Sequence, residues 1–122
     1  MGQGYEIEIE DRTEYVWVLT SGPELSSGIS RSYWNEIADW CRGRDCRKIL
    51  IEKDFPRSVG PRDMIEMAEH LGAVLPGYKI AFHDRHGHDA INELGKKLAR
   101  NRNVIMQVFD DPREAEKWLL AN

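Results

Sequence analysis

The sequence predicts an α/β domain with a five-stranded, mixed and mainly parallel sheet and four helices. Short apolar runs alternate with segments of helical periodicity along most of the chain, and this alternation is typical of layered α/β domains. A short polar turn near the N-terminus adds one antiparallel pair to an otherwise parallel order. The five strands are predicted at Tyr5–Glu10, Tyr15–Leu19, Lys48–Glu52, Tyr78–Phe82 and Val104–Phe109.

The first two strands are predicted to form a hairpin. Residues Tyr5–Glu10 alternate strictly between apolar and acidic side chains, which indicates an edge strand with one wet face. Residues Tyr15–Leu19 are almost continuously apolar, which favours a central strand. Only the polar segment Asp11–Thr13 separates them from one another, and a connection that short joins antiparallel neighbours.

Four helices are predicted from apolar residues at helical spacing and from residues that begin or end helices. Gly43 is expected to end the first helix, and Pro61 is expected to begin the second. The last helix begins with Asp111 as its N-cap and Glu114 as a reciprocal cap, and Trp118 is expected to be buried against the sheet. The predicted buried stripes are Ile29, Tyr33, Ile37 and Cys41; Met64, Ile65, Ala68 and Leu71; Ile91, Leu94, Gly95 and Leu98; and Ala115, Trp118 and Leu119.

Composition predicts one domain over residues 1–122, in the cytoplasm. The net charge of −4 weighs against a nucleic-acid partner, which requires a basic face. The two cysteines, Cys41 and Cys46, are too few for a disulfide framework and are expected to be reduced. No apolar run is long enough for a membrane span, so any membrane contact would be peripheral.

Three segments of the chain resemble the STAS domain, in its SpoIIAA-like, or STAS/Sec14-like, branch. They are the hairpin Tyr5–Leu19, the strand Lys79–Asp84 with a helix ending at Ala99–Arg102, and the closing segment Val108–Leu119. The resemblance implies a non-enzymatic module that binds small apolar ligands or membrane surfaces. STAS domains of the anti-sigma-factor-antagonist type also carry a phosphorylated serine before the second helix. Ser58 stands at that place here, without the Asp-Ser-Ser run of those domains.

The candidate binding site lies in three polar loops, Thr20–Gly28, Lys53–Gly60 and His83–His88, which follow predicted strands. The carboxyl ends of parallel strands meet at one edge of a sheet, so we expect these loops to converge on a ligand or a partner. The alternative is that they are polar because surface loops generally are. The candidate binding residues are Asp54, Arg57, Ser58, His83, Arg85, His86 and His88.

The chemistry of these loops leaves several alternatives open. His86 and His88 are potential zinc ligands with Asp84 or Asp89, but their spacing matches no established motif, so no metal and no cofactor are expected. His88 or Asp89 has a simpler interpretation as a helix N-cap. Ser58 is interpreted either as a phosphoacceptor or as an ordinary turn serine.

The predicted function is a non-enzymatic binding or regulatory module without catalytic residues. Its expected partner is a small apolar molecule, a lipid surface or another protein, and a homodimer is also left open. The alternative is phospho-switched partner binding through Ser58, and a metal-assisted enzyme using His83–Asp89 ranks third. An apolar cavity between the sheet and the helices would favour the first interpretation.

Overall fold

The computed structural model describes residues 4–121, which form five strands and four helices. The chain has the five-stranded mixed sheet and the four helices that the sequence predicts. In chain order the elements are β1 (Glu6–Asp11), β2 (Val16–Ser21), α1 (Ser27–Cys41), β3 (Lys48–Asp54), α2 (Pro61–Val74), β4 (Lys79–Asp84), α3 (Asp89–Arg100), β5 (Ile105–Phe109) and α4 (Pro112–Leu120).

The spatial order of the strands is the same as their order in the chain. Strand β1 is antiparallel to β2, as the short Asp11–Thr13 turn predicts, and every later pair is parallel. Right-handed crossovers that always step in one direction place their helices on the same face of the sheet. Helices α1, α2 and α3 therefore share one face and pack side by side, whereas α4 covers β3, β4 and β5 on the other.

Each face of the sheet has its own apolar core. The larger core lies under α1, α2 and α3 and includes Ile49 and Ile51 of β3. The smaller core lies under α4 and includes Leu50 of the same strand, with Ala115 and Leu119 of the helix. Side chains of a strand alternate between the two faces, so successive residues of β3 serve different cores.

The strands that lead to the predicted loops extend two residues further than predicted. Strands β2, β3 and β4 end at Ser21, Asp54 and Asp84. A hydropathy pattern describes side chains, whereas a strand is held in its sheet by hydrogen bonds between backbones. Polar residues form these backbone hydrogen bonds as well as apolar residues do. The backbone N–H of Arg85, for instance, donates to the carbonyl of Lys53 at 2.9 Å. The first two residues of each predicted loop therefore have fixed positions in the sheet.

The last helix confirms one part of its prediction and corrects two others. Asp111 is the N-cap, and its carboxylate accepts a hydrogen bond from the backbone N–H of Arg113. The Glu114 carboxylate pairs with Lys117 at 3.3 Å instead of capping in return. Trp118 rests against the Phe109 ring but is only partly buried, whereas Leu119 is fully buried. Adjacent helical residues project about 100° apart, so only one of the two can face the sheet.

Two further predictions concern thiols and membranes. Cys41 and Cys46 are both free, and Cys41, the last residue of α1, is buried. Burial raises the pKa of the Cys41 thiol to about 11, which favours the protonated, unreactive form. Within residues 4–121, no helix is long and apolar enough to cross a bilayer.

Candidate functional site

The carboxyl ends of β3 and β4 bring together four of the predicted binding residues. The Nε2 atom of His86 lies 2.6 Å from Oδ1 of Asp54, and Nη1 of Arg85 lies 4.0 Å from the other oxygen of the same carboxylate. The rings of His86 and His88 are 6.1 Å apart. Asp54, Arg85, His86 and His88 thus form one polar cluster, which we call the rim.

The buried carboxylate of Asp84 contacts two residues of the rim, His86 and His88. Its side chain is 4% exposed, and its carboxylate accepts from the backbone N–H of His86 at 2.9 Å and from Nδ2 of Asn92 at 2.9 Å. It also lies 3.0 Å from Nδ1 of His88, whose Nε2 is 3.1 Å from the Pro56 carbonyl. Both partners of His88 are acceptors, so both ring nitrogens donate when the ring is protonated. His88 thereby ties the loop after β4 to the loop after β3.

The position of His88 confirms one of the interpretations made from sequence, but in an altered form. His88 is the N-cap residue of α3, yet its side chain makes no capping hydrogen bond. It adopts a left-handed conformation with φ of 49°, which is uncommon for a residue with a side chain. Such a conformation persists where surrounding contacts determine it, and here those contacts are the two hydrogen bonds of its ring.

His83 lies apart from His86 and His88, on the face that α4 covers. Its Nδ1 is 3.2 Å from Oε1 of Glu52, which also accepts from Nε and Nη2 of Arg85 at 3.3 Å. The indole N–H of Trp17 donates to the other Glu52 oxygen at 2.8 Å. Burial raises the pKa of Glu52, but the hydrogen bonds from Trp17 and His83 and the charge of Arg85 lower it below its ordinary value.

The separation of His83 from His86 and His88 follows from strand geometry. His83 belongs to β4, and its register partner in β3 is Glu52. The hydropathy pattern predicts His83 in a loop, where the direction of its side chain is not constrained. As a strand residue it must point to the opposite face from its neighbours Phe82 and Asp84.

Two predicted residues, Arg57 and Ser58, take no part in the rim. Arg57 is 79% exposed in its side chain and lies 3.8 Å from the Glu24 carboxylate. The Ser58 hydroxyl oxygen is buried and has no hydrogen-bond partner within residues 4–121. The N-cap of α2 is Gly60, so Ser58 does not cap that helix.

The histidines do not converge on a common ligand position. His86 contacts Asp54, whereas His88 contacts Asp84. Among residues 4–121, no group of three or more His, Cys, Asp or Glu side chains is arranged to hold a metal ion. The absence of stoichiometric metal from the purified protein stays a prediction.

An apolar cavity of about 40 Å³ lies behind the rim, between the sheet and helices α1, α2 and α3. That volume holds roughly three water molecules. Apolar walls with a few polar groups are typical of small-molecule sites. The walls include Trp34, Met64, Met67, Leu71, Phe82 and Met106, and the polar residues among them are Tyr33, Lys53 and Asn92.

Lys53 is the charged residue of this cavity. It is 3% exposed, and its Nζ lies 4.8 Å from the centre of the Phe82 ring. Burial lowers the pKa of Lys53 to about 8, although the nearby Asp84 carboxylate acts in the opposite direction. None of the ion pairs formed within residues 4–121 includes Lys53. An ammonium group in these surroundings lacks the partner that buried charges ordinarily have.

Asn92 connects the cavity with the rim. Its Nδ2 donates to the Asp84 carboxylate at 2.9 Å and to the Gly87 carbonyl at 2.8 Å. Its Oδ1 is buried and has no hydrogen-bond partner in the described part of the chain. Buried polar atoms without a partner are uncommon and require an explanation.

Lys53 and Asn92 are not among the binding residues predicted from the sequence, although the sequence contains part of the signal for them. Ile49 and Ile51 face the larger core, so continuing the strand would have placed Lys53 on the same face. In α3 the fully buried residues are Asn92, Gly95 and Ala99, whereas the predicted Ile91, Leu94 and Leu98 are partly buried.

The close approach of α2 and α3 explains this shift of the buried face. A Cβ atom at Gly95 would lie 2.8 Å from the sulfur of Met64, so a larger side chain does not fit without movement. Small residues of α3 therefore face α2, and its larger apolar residues lie at the margins of the contact. A hydropathy pattern predicts that the large apolar residues of α3 lie at the centre of its contact with α2. The pattern carries no information about the distance between the two helices, and that distance leaves room only for small residues.

Comparisons with known proteins identify the fold. No protein-family profile and no curated protein matches the chain. A solved structure, that of an uncharacterized protein from the DUF3478 family with a SpoIIAA-like fold from Shewanella loihica PV-4, matches with a TM-score of 0.57. The identity is 15%, and the match covers 95% of this chain and 94% of that chain. Likeness at such low identity extends to the fold alone. The chain therefore has the SpoIIAA-like α/β fold that its sequence resembles.

Proposed function

We propose that the protein is a non-enzymatic binding module that takes a small, mainly apolar guest into the cavity between its sheet and helices α1–α3. The cavity itself is the observation that carries this proposal, because its walls are apolar and its polar groups are few. An apolar cavity distinguishes a ligand-binding module from a module that acts only through a phosphorylated loop.

The composition of the walls supports a binding role. Three of the four methionines of the chain, Met64, Met67 and Met106, line the cavity. Methionine side chains are unbranched and flexible, so they adapt to guests of different shape at little cost. The walls can therefore move outward for a guest somewhat larger than the volume of the empty cavity.

The histidines have structural contacts. His83, His86 and His88 each contact a carboxylate of the protein. These contacts join strands and loops to one another, which is a structural use of the imidazole ring. The rim then has the function of holding the loops around the cavity.

Phospho-switched binding through Ser58 is the weaker candidate. Its hydroxyl oxygen is buried, so the loop after β3 must open before a kinase can reach it. Protein and membrane partners would meet the same edge of the sheet through Arg57 and the rim, since these are its exposed charged groups. No specific contact favours either of these partners over a small guest.

The proposal is tested with xenon, a single apolar atom that enters dry cavities. The protein is labelled with ¹³C at the methionine methyl groups and titrated with xenon. We expect saturable shifts of the Met64, Met67 and Met106 signals, because these residues line the cavity. The Ala68→Leu variant adds apolar atoms to the wall and should abolish the shifts.

The matched control is Ala90→Leu, which makes the same change on an exposed turn of α3. It should bind xenon as the unchanged protein does. Methionine signals that do not respond to xenon, or that respond equally in Ala68→Leu, would show that the cavity accepts no guest.

A further inference from the structure

The cavity contains two polar residues that lack partners, and together they specify the polar end of a guest. We infer, on the basis of the proposed function, that the guest is a short-chain aliphatic carboxylic acid. Its carboxyl group lies between Lys53 and Asn92. Its alkyl chain would lie among the methionine side chains of the wall.

Lys53 is buried in the wall of the cavity. The carboxylate that acts on its charge is that of Asp84, the register partner of Lys53 in β4. Its oxygens accept from the His86 backbone and from the side chain of Asn92, and they contact His88. None of the ion pairs within residues 4–121 includes Lys53, whose amine faces the Phe82 ring and the cavity. A guest that brings an acid group supplies the missing partner.

The buried position of Lys53 favours a partner with which its amine forms a pair of no net charge. An amine and a carboxylic acid share one proton, which lies either on the nitrogen or on an oxygen. The pair carries no net charge in both arrangements, and low-dielectric surroundings favour this. An alcohol would hydrogen-bond to Lys53 but leave its charge uncompensated, and an amine would add a second positive charge.

The side-chain oxygen of Asn92 is a hydrogen-bond acceptor without a donor in the described part of the chain. Both hydrogens of its amide are used by Asp84 and Gly87, so its free Oδ1 requires a donor. When the shared proton lies on the acid, the carboxyl group accepts a hydrogen bond from the neutral Lys53 amine and donates one to Oδ1 of Asn92. In that arrangement one functional group satisfies both residues.

The size of the cavity sets the length of the alkyl chain. A volume of about 40 Å³ corresponds to a few non-hydrogen atoms. Movement of Met64 and Met67 adds to this, because methionine side chains are flexible. Short acids such as propionate and butyrate match this space, whereas decanoate exceeds it.

The test uses three probes of equal chain length, which are butyrate, 1-butanol and butylammonium. Each is titrated into protein with ¹³C-labelled methionine methyl groups. We expect butyrate to bind about tenfold or more tightly than 1-butanol, and butylammonium to produce no saturable shift. Decanoate should bind more weakly than butyrate, because it does not fit.

Two variants assign the preference to Lys53. Lys53→Met removes the amine and keeps a side chain of similar length, so it should lose the preference for butyrate and retain binding of 1-butanol. Lys97→Met removes the same charge from the exposed face of α3 and should keep the preference. Circular dichroism and thermal unfolding establish that both variants are folded.

The outcomes separate this inference from the proposed function. Equal affinities for butyrate and 1-butanol, or an unchanged butyrate preference in Lys53→Met, would overturn the carboxylic acid as the guest while xenon binding upheld the cavity. If neither xenon nor butyrate shifts the methionine signals, the proposed function fails together with the inference.

Discussion

Glu52 and Lys53 are neighbours in β3 and both are buried, yet their surroundings differ in kind. Glu52 points to the face of α4, where its two oxygens accept hydrogen bonds from Trp17 and Arg85 and contact His83. Lys53 points to the face of α1–α3, where it meets an aromatic ring and a cavity. Among residues 4–121, the side chain of Glu52 has hydrogen bonds and ion pairs, whereas that of Lys53 has neither and is influenced only by the charge of Asp84.

This difference distinguishes Glu52, a charged residue that stabilises the fold, from Lys53, a charged residue with a use outside folding. A buried charge with a full set of partners holds its neighbours in position, and removing it leaves those partners unpaired. A buried charge without partners lowers stability, so its presence indicates a use outside folding. The two residues should therefore respond to substitution with effects of opposite sign.

The largest effect is expected at Lys53. Replacing Lys53 with Met removes a buried ammonium and keeps the apolar stem, so the free energy of unfolding should rise by about 2 kcal/mol at pH 7. Urea unfolding of the two proteins measures this difference. Destabilisation by Lys53→Met would mean that the amine has a stabilising partner and that the contrast with Glu52 does not hold.

The pH dependence of stability checks the same point. The pKa of Lys53 is about 8 in the folded protein, against 10.5 as its ordinary value, so the unfolded chain binds more protons between these limits. Stability should then rise with pH above about 8 in the unchanged protein, and this rise should be absent from Lys53→Met. The comparison is made between pH 8 and pH 9, since burial raises the pKa of the Cys41 thiol from 9.0 to about 11 and that of Tyr5 from 10.0 to about 12, and both groups have the opposite effect at higher pH.

A smaller effect of opposite sign is expected at Glu52. Glu52→Gln keeps the shape but weakens the contacts with His83 and Arg85, so it should lower the free energy of unfolding by about 1–2 kcal/mol. Because the folded pKa of Glu52 is lowered, its contribution is present above its ordinary pKa and is lost as pH falls through the folded value. The unfolding midpoints of Glu52→Gln and the unchanged protein should therefore converge in acid.

The smallest effect is expected at the rim. The side chains of His86 and Asp54 are 34% and 39% exposed. Exposed ion pairs contribute little, so His86→Ala should cost less than about 0.5 kcal/mol. A double-mutant cycle with Asp54→Ala measures the interaction, and a coupling energy comparable to the effect of Glu52→Gln would contradict the small contribution expected of this exposed pair.

The fold was predictable because its signals are local. The Asp11–Thr13 turn predicts the antiparallel pair, Pro61 marks the start of α2, and Asp111 caps α4. Each of these acts within a few residues through backbone geometry or a single hydrogen bond. The boundaries were less predictable, since the ladder continues into the polar residues at the end of β4.

The site was predictable only in part. The convergence of Asp54 with His86 follows from the parallel order of β3 and β4, which the sequence predicts. The burial of the Ser58 hydroxyl and the exposure of Arg57 do not follow from that order. They depend on the path of a loop, and loop composition alone does not determine its path.

The sequence by itself determined the order of strands and helices, the antiparallel first pair and the edge at which the polar loops meet. Only the tertiary structure decided that, among residues 4–121, the side chain of Glu52 has ion pairs and that of Lys53 has none. The physical reason is distance along the chain: the partners of Glu52 come from β2 and β4, and the cavity around Lys53 is formed by three helices. Alternation along β3 assigns each residue a face, but whether that face supplies a partner depends on residues that only packing brings together.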